Sequence, residues 1–184
     1  MPSRRRALAL FAAPIVAGLA ASAVVAGPAD TRHATGTFVD AAGATVGWLS
    51  LTEDRRGDVH VNVKVKGVTA GLHGIHIHAV GSCAPTFAAA GGHYNPLGRQ
   101  HGLENTAGPH AGDLPNLIVN EDRVGRLDAR TDRVTLSPGP LTLFDGDGSA
   151  FIIHANTDDQ VTDSGAAGPG GSGARIACAV VEAA

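Results

Sequence analysis

The chain has 184 residues, 25 of them glycine and only 4% aromatic, with a formal net charge of −3. That length suits one domain with a core large enough to fold unaided. Scarce aromatics and short runs of Val, Ile and Thr favour many short strands over a helical bundle, and the acidic balance argues against nucleic acid as a partner, because phosphate contacts need an excess of Lys and Arg.

Arg4, Arg5 and Arg6 precede an apolar, Ala-rich run from Ala7 to about Ala26, followed by Gly27-Pro28. A basic head, an apolar middle and small residues at the end predict a signal peptide over residues 1–27. Ser3-Arg4-Arg5 with Leu8 also fits a loose twin-arginine signal, which implies export in a folded state. The alternative is a membrane anchor, since a run of about twenty apolar residues can span a bilayer. Against it stand the small residues at the end of the run and the lack of a basic cluster after it. No Cys lies near position 26 for lipid attachment. Cleavage takes three of 14 basic residues and none of 17 acidic ones, leaving a net charge of −6. The expectation is therefore an exported protein, periplasmic, wall-associated or secreted, without a membrane segment after cleavage.

Residues 28–34 read as a linker and 35–184 as the folded domain. Thr35 to Asp40 and Thr45 to Thr52 are β-prone runs separated by Ala41-Ala42-Gly43, and Asp54 to Asp58 is a charged turn. Val59, Val61, Val63 and Val65 then alternate with His60, Asn62, Lys64 and Lys66. Period two predicts a half-buried antiparallel strand with His60 on its wet face, as a surface residue. Gly71 to Val80 is a further strand, carrying His73, His76 and His78. From Gly81 to Leu114 no periodicity survives, and a loop of that length in a compact domain needs something other than a core to fix it. Strands resume near Leu117–Val119, Val124–Ala129 and Val134–Leu136, then at Ser149 to Ala155 and Arg175 to Val181. A second irregular loop runs from Thr157 to Ala174. The glycines from Gly168 to Gly173 lack the Lys-Ser/Thr ending of a phosphate loop, and Asp145 to Gly148 lacks the spacing of a calcium loop. The pattern predicts an all-β fold, an antiparallel sandwich or flattened barrel of roughly eight strands with two long loops.

The two cysteines, Cys83 and Cys178, read most simply in an exported chain as one disulfide. It closes a loop of roughly 95 residues, worth on the order of 4–5 kcal/mol in the chain-entropy picture. The rival reading makes them two soft metal ligands, although no Cys-x-x-Cys is present.

Five of nine histidines, His76, His78, His93, His101 and His110, fall in one window that ends at Asp113. His76 and His78, two apart on a strand, leave the same face. Imidazole and carboxylate suit a borderline-soft divalent metal. The donors outnumber the four that one tetrahedral ion takes, which points to more than one metal. Histidines that merely satisfied local hydrogen bonds would leave an irregular loop crowded with them unexplained.

Four motifs carry a resemblance: Gly71-Leu-His-Gly-Ile-His-Ile-His78, Gly92-His-Tyr-Asn-Pro96, His110-Ala-Gly-Asp-Leu114 and Arg175-Ile-Ala-Cys178. In this order and at these spacings, from about Thr35 to Val181, the chain resembles copper/zinc superoxide dismutase. The resemblance implies an eight-stranded Greek-key β-barrel or sandwich of immunoglobulin-like type. It implies copper ligands His76, His78, His93 and His154, and zinc ligands His93, His101, His110 and Asp113, with His93 shared. Asp158 would hydrogen-bond one ligand of each metal, His76 and His101, and His73 would hold loop backbone. The implied reaction disproportionates two superoxide anions to O2 and H2O2, with His93 cycling a proton and Arg175 docking the anion beside copper. The resemblance is also compatible with a homodimer. The alternative is an exported copper and zinc carrier or chaperone with the same fold. Such a protein would be expected to lose a copper ligand or the arginine, and this chain keeps both.

One departure stands out. The loop before Arg175 carries Asp158, Asp159 and Asp163 but no basic residue. With a charge of −6, attraction of a small anion has to be local, so long-range steering, which can change on-rates 10- to 1000-fold, is expected to be weak.

Overall fold

The structure, a computed structural model, describes residues 32–184. The expected signal and the first part of the expected linker lie outside those residues. Ten strands are present among the described residues: β1 (Arg32–Asp40), β2 (Thr45–Glu53), β3 (Val59–Lys66), β4 (Gly71–His73), β5 (Ile75–His78), β6 (Leu117–Val119), β7 (Val124–Thr131), β8 (Ala150–His154), β9 (Arg175–Val180) and β10 (Glu182–Ala183). Helix is confined, among the described residues, to two 3-10 turns at Phe87–Ala90 and Pro169–Gly171. β1 starts at Arg32 because Arg32, His33 and Ala34 pair with Glu53, Thr52 and Leu51, so the described part of the expected linker is strand.

Neighbouring strands pair antiparallel in the order β4-β6-β7-β3-β2-β1-β9-β8-β5. The non-sequential pairs β3·β7 and β1·β9 are the crossing connections of a Greek key. The two ends of the path, β4 and β5, are separated in the chain by Gly74 alone, so the sheet closes nearly into a barrel. The expected continuous strand over Gly71 to Val80 breaks here. Gly74 donates its N–H to the Asn156 carbonyl at 2.8 Å and accepts from His154 N–H at 2.8 Å, leaving the ladder for one residue. A Cβ at Gly74 would meet Ser172 Cβ at 2.8 Å, so the close approach needs glycine.

β3 follows its pattern: Val59, Val61, Val63 and Val65 are buried, and its polar residues face out. They join Phe38, Leu49, Leu51, Ile75, Ile77, Leu127, Phe151 and Ile153 in one core. β5 and β8 are buried on both faces, and the outer face of β8 covers a smaller cluster of Ala90, Ala150, Ile152 and Cys178. The Cys83–Cys178 disulfide forms, spanning 95 residues, and ties the segment after β5 to β9. The expected strand at Val134–Leu136 is absent. Val134 and Leu136 are buried, but the main chain there is served by a carboxylate: Glu53 Oε2 accepts Leu136 N–H at 2.8 Å and Ser137 N–H at 2.6 Å. Thr135 retains only an isolated bridge to Thr142.

Candidate metal centre

β5 is the platform. Ile75 and Ile77 point into the barrel core, so His76 and His78 leave the opposite face together. One edge of β5 pairs with β8. The other edge captures the irregular segment: Ile77 N–H donates to Gly112 O at 2.9 Å, Tyr94 N–H to Ile77 O at 2.8 Å, and Ala79 N–H to Gly92 O at 2.9 Å. Bridges His78↔His93 and His76↔Asp113 follow from that docking. A Cβ at Gly112 would overlap the Ile77 carbonyl, so only glycine lets the loop approach this closely. The long loop is therefore fixed by strand-edge hydrogen bonds as well as by the disulfide. His154, at the end of β8, arrives beside His76, with ring centroids 4.9 Å apart, and its cross-strand neighbour on β9 is Arg175.

At one pole, hydrogen bonds to the far side of each ring set the tautomer. His78 Nδ1–H donates to Gly91 O at 2.9 Å, His154 Nδ1–H to Gly173 O at 3.0 Å, and His76 Nε2–H to Asp158 Oδ2 at 2.5 Å. The remaining nitrogens, His76 Nδ1, His78 Nε2 and His154 Nε2, are buried without a hydrogen-bond partner. An unpaired buried nitrogen is costly unless something binds it. Ligand atoms of these three residues and of His93 lie within 4.8 Å of one another. Burial pushes the His76 ring down to about 3, His78 to about 2 and His154 to about 4, which keeps these rings neutral with a lone pair to give.

At the other pole, three Nδ1 atoms surround one carboxylate oxygen. Asp113 Oδ1 stands 3.1 Å from His93, 2.9 Å from His101 and 3.4 Å from His110. Asp113 Oδ2 accepts the N–H groups of Gly102 and His110 at 2.8 and 2.9 Å, which aims Oδ1 inward. Burial would raise the Asp113 carboxyl, but hydrogen bonds from the three rings outweigh it and hold it far below the usual range. Burial likewise opposes charge on His101, yet its contacts with Asp113 and Asp158 raise it to about 9. This pole is built to hold positive charge.

Asp158 joins the poles. Its carboxylate takes His76 Nε2–H and lies 3.0 Å from His101 Nε2, fully buried, so it contacts one histidine at each pole. Of the residues expected to hold zinc, His93, His101 and Asp113 fall with His76 in one group whose donor atoms lie within 4.8 Å of one another, while His110 is outside that group, its Nδ1 3.3 Å from His93 Nδ1. His76 turns Nδ1 toward the first pole and commits Nε2 to Asp158, so His110 is the better fourth donor. His73 donates from Nδ1 to His154 O at 2.7 Å and holds backbone. His60 stays on the barrel exterior, 3.3 Å from Asp54. Arg175 donates to Phe87 O and Gly91 O, each at 2.6 Å, so its guanidinium is held by the segment that the disulfide anchors. Gly91 O is also the acceptor of His78, which places the cation next to the first pole.

Three supports were not legible in the sequence. Asn116 clamps Asp158 reciprocally, donating to its carbonyl at 2.8 Å and accepting its N–H at 2.9 Å. Arg133 donates to the Asp113 carbonyl at 2.7 Å. Gly170 packs against the Asp158 carboxylate so closely that a Cβ would overlap it. Each acts across more than ten residues of sequence, and none has a local motif.

Comparisons with known proteins identify the relatives of this chain. Residues 45–181 match the sequence model of the family described as copper/zinc superoxide dismutase. A superoxide dismutase-like protein, YojM, of Bacillus subtilis (strain 168) is 42% identical over 147 residues, 77% of this chain and 71% of that one. Superoxide dismutase [Cu-Zn] 2 of Aquifex aeolicus (strain VF5) is 37% identical over 147 residues, 78% and 83% of the two chains. The crystal structure of a SOD-like protein from Bacillus subtilis superposes with a TM-score of 0.70 at 38% identity, covering 79% of this chain and 96% of that one.

Proposed function

We propose, from the premise that this chain belongs to the copper/zinc superoxide dismutase family, that it disproportionates superoxide at the two-pole histidine centre. The observation that carries the reading is the first pole: three buried imidazole nitrogens with preset tautomers and no partner, gathered with His93. Copper would be held by His76, His78, His93 and His154, and zinc by His93, His101, His110 and Asp113. These donors fit: four imidazole nitrogens suit copper, and three with one carboxylate suit zinc.

Copper, when bound, supplies the one-electron couple that oxidises one superoxide to O2 and reduces the next. The balance is two superoxide anions and two protons giving O2 and H2O2. His93 directs Nδ1 to the zinc pole, which leaves Nε2 for the copper pole; whenever it is not donating to copper, that atom would hold and give one of those protons. Arg175, fixed by two carbonyls, offers a cation at the copper pole to dock the anion and steady charge growing on the peroxide. Asp158, by accepting from His76 and His101, keeps both rings oriented through the cycle.

A second reading, a non-catalytic copper and zinc carrier, is favoured by the relative named only as superoxide dismutase-like. The complete set of four imidazoles plus Arg175 favours catalysis. Export is part of the proposal, supported by the N-terminal pattern and by a disulfide, which persists in oxidising compartments. The test is His154→Ala. Copper binding and superoxide consumption should both be lost while zinc stays bound. Consumption at the parent rate would refute the assignment.

A further inference from the structure

The acidic loop before Arg175 has three carboxylates, and they do three different things. Asp158 bridges the poles. Asp159 serves its own turn, accepting Val161 N–H at 2.9 Å and the Thr162 hydroxyl at 2.6 Å. Asp163 leaves its loop: Oδ1 accepts the main-chain N–H of His101 at 2.5 Å and stands 3.9 Å from His110 Nε2.

Those two histidines present Nδ1 to the zinc pole. The second nitrogen of His101 has Asp158, and the second nitrogen of His110 faces Asp163. A histidine that binds metal through one nitrogen carries its proton on the other, and a carboxylate facing that N–H fixes tautomer and ring orientation. The surrounding segment is seamed along the zinc-pole loop. Glu104 N–H donates to Gln160 O at 2.9 Å, Asn105 Nδ2 to Val161 O at 3.0 Å, and Gln160 Nε2 to Leu114 O at 3.3 Å. Gly102 lies so close to the Gln160 carbonyl that a Cβ would overlap it. Asp163 is the second point, after Asp158, at which this loop reaches the histidines of the centre.

We propose that Asp163 is a positioning residue for the zinc pole: its carboxylate pins the His101 main chain and sets a negative charge 3.9 Å from His110 Nε2, which favours the tautomer that leaves Nδ1 for the metal. The proposal rests on His101 and His110 being zinc ligands. It gives the acidic loop a purpose that its lack of lysines otherwise obscures, because negative charge is spent on holding a cation in place. The Asp163 side chain is 45% exposed, so water screens it, and its effect should fall below that of fully buried Asp158.

The test uses the full chain without its signal, in parent, Asp163→Asn and Asp163→Ala forms. Asn keeps an acceptor for His101 N–H but removes the charge facing His110, whereas Ala removes both. Zinc affinity is read by competition with a chromophoric chelator, the His110 tautomer by long-range 1H–15N NMR of its ring, and stability by melting of the metal-stripped protein. The expected result is a zinc affinity lowered about 10-fold or more in Asp163→Ala, with a smaller loss in Asp163→Asn. His110 should show mixed tautomers in both variants, and the metal-stripped melting temperature should hold. Zinc affinity within twofold of the parent, or His110 unchanged in the Nε2–H form, would overturn the proposal. So would an equal drop in melting temperature with and without metal, which marks a merely structural role. A parent that binds zinc separates these failures from failure of the metal-centre reading, since a parent binding none would overturn both.

Discussion

Gly170 and Gly171 offer a matched pair for testing how much the centre depends on Asp158. Both have left-handed backbone, φ 63° and 65°. A Cβ at Gly171 meets nothing within 4 Å, whereas one at Gly170 overlaps the Asp158 carboxylate. Alanine at either site costs about 1–2 kcal/mol of backbone strain. Gly170→Ala must also displace a carboxylate held by His76, His101 and the Gln160 N–H at 2.7 Å. Each such hydrogen bond to a charged group is worth about 1.5–3 kcal/mol. Gly170→Ala should therefore lose about 1.5–3 kcal/mol more than Gly171→Ala for each bond broken. Because Asp158 contacts one histidine at each pole, affinity for copper and zinc should both fall about 10- to 100-fold. Gly171→Ala should bind both metals as the parent does. Urea unfolding of metal-stripped protein and chelator competition read the two effects. Equal stability and equal metal affinity in the two variants would refute the view that Asp158 has no room to move.

Arg175→Glu should lower the superoxide rate about tenfold or more, because it reverses the local attraction, with copper content unchanged; an unaltered rate in pulse radiolysis would remove Arg175 from the mechanism. Replacing Cys83 and Cys178 together with Ser should cost about 4–5 kcal/mol in urea unfolding, the entropy of closing a 95-residue loop; a loss below about 1 kcal/mol would show that the unfolded chain is not constrained as that model assumes. The second-order rate constant should change less than about threefold as salt shortens the Debye length from about 30 to 8 Å, since the loop over residues 155–174 carries no basic side chain. A tenfold fall would mean that long-range steering operates from elsewhere on the surface.

Features set by local chemistry were legible in the sequence. The β3 valines alternate and are buried, His76 and His78 share a face because strand period dictates it, and His93, His110 and Asp113 stand in motifs whose order is itself informative. Features set by distant partners were not. Val134–Leu136 has strand composition, yet Glu53, 83 residues from Leu136, takes the N–H of Leu136 that a ladder would have used. The strand over Gly71 to Val80 breaks at Gly74, whose glycine is its only local sign, because Asn156 and His154 claim the main chain there. Asn116, Arg133 and Asp163 look like ordinary polar residues until the loops are folded together. The acidic loop over 155–174 suggested only weak steering; its folded form shows each carboxylate engaged, two of them at histidines of the centre.

A centre that binds two different metals and consumes superoxide is tested most directly by copper and zinc content from mass spectrometry, measured on the same sample whose superoxide consumption is followed. One copper and one zinc per chain, with consumption proportional to copper content, is the predicted result. Full copper occupancy with superoxide decaying no faster than in buffer would contradict it and identify a metal carrier instead.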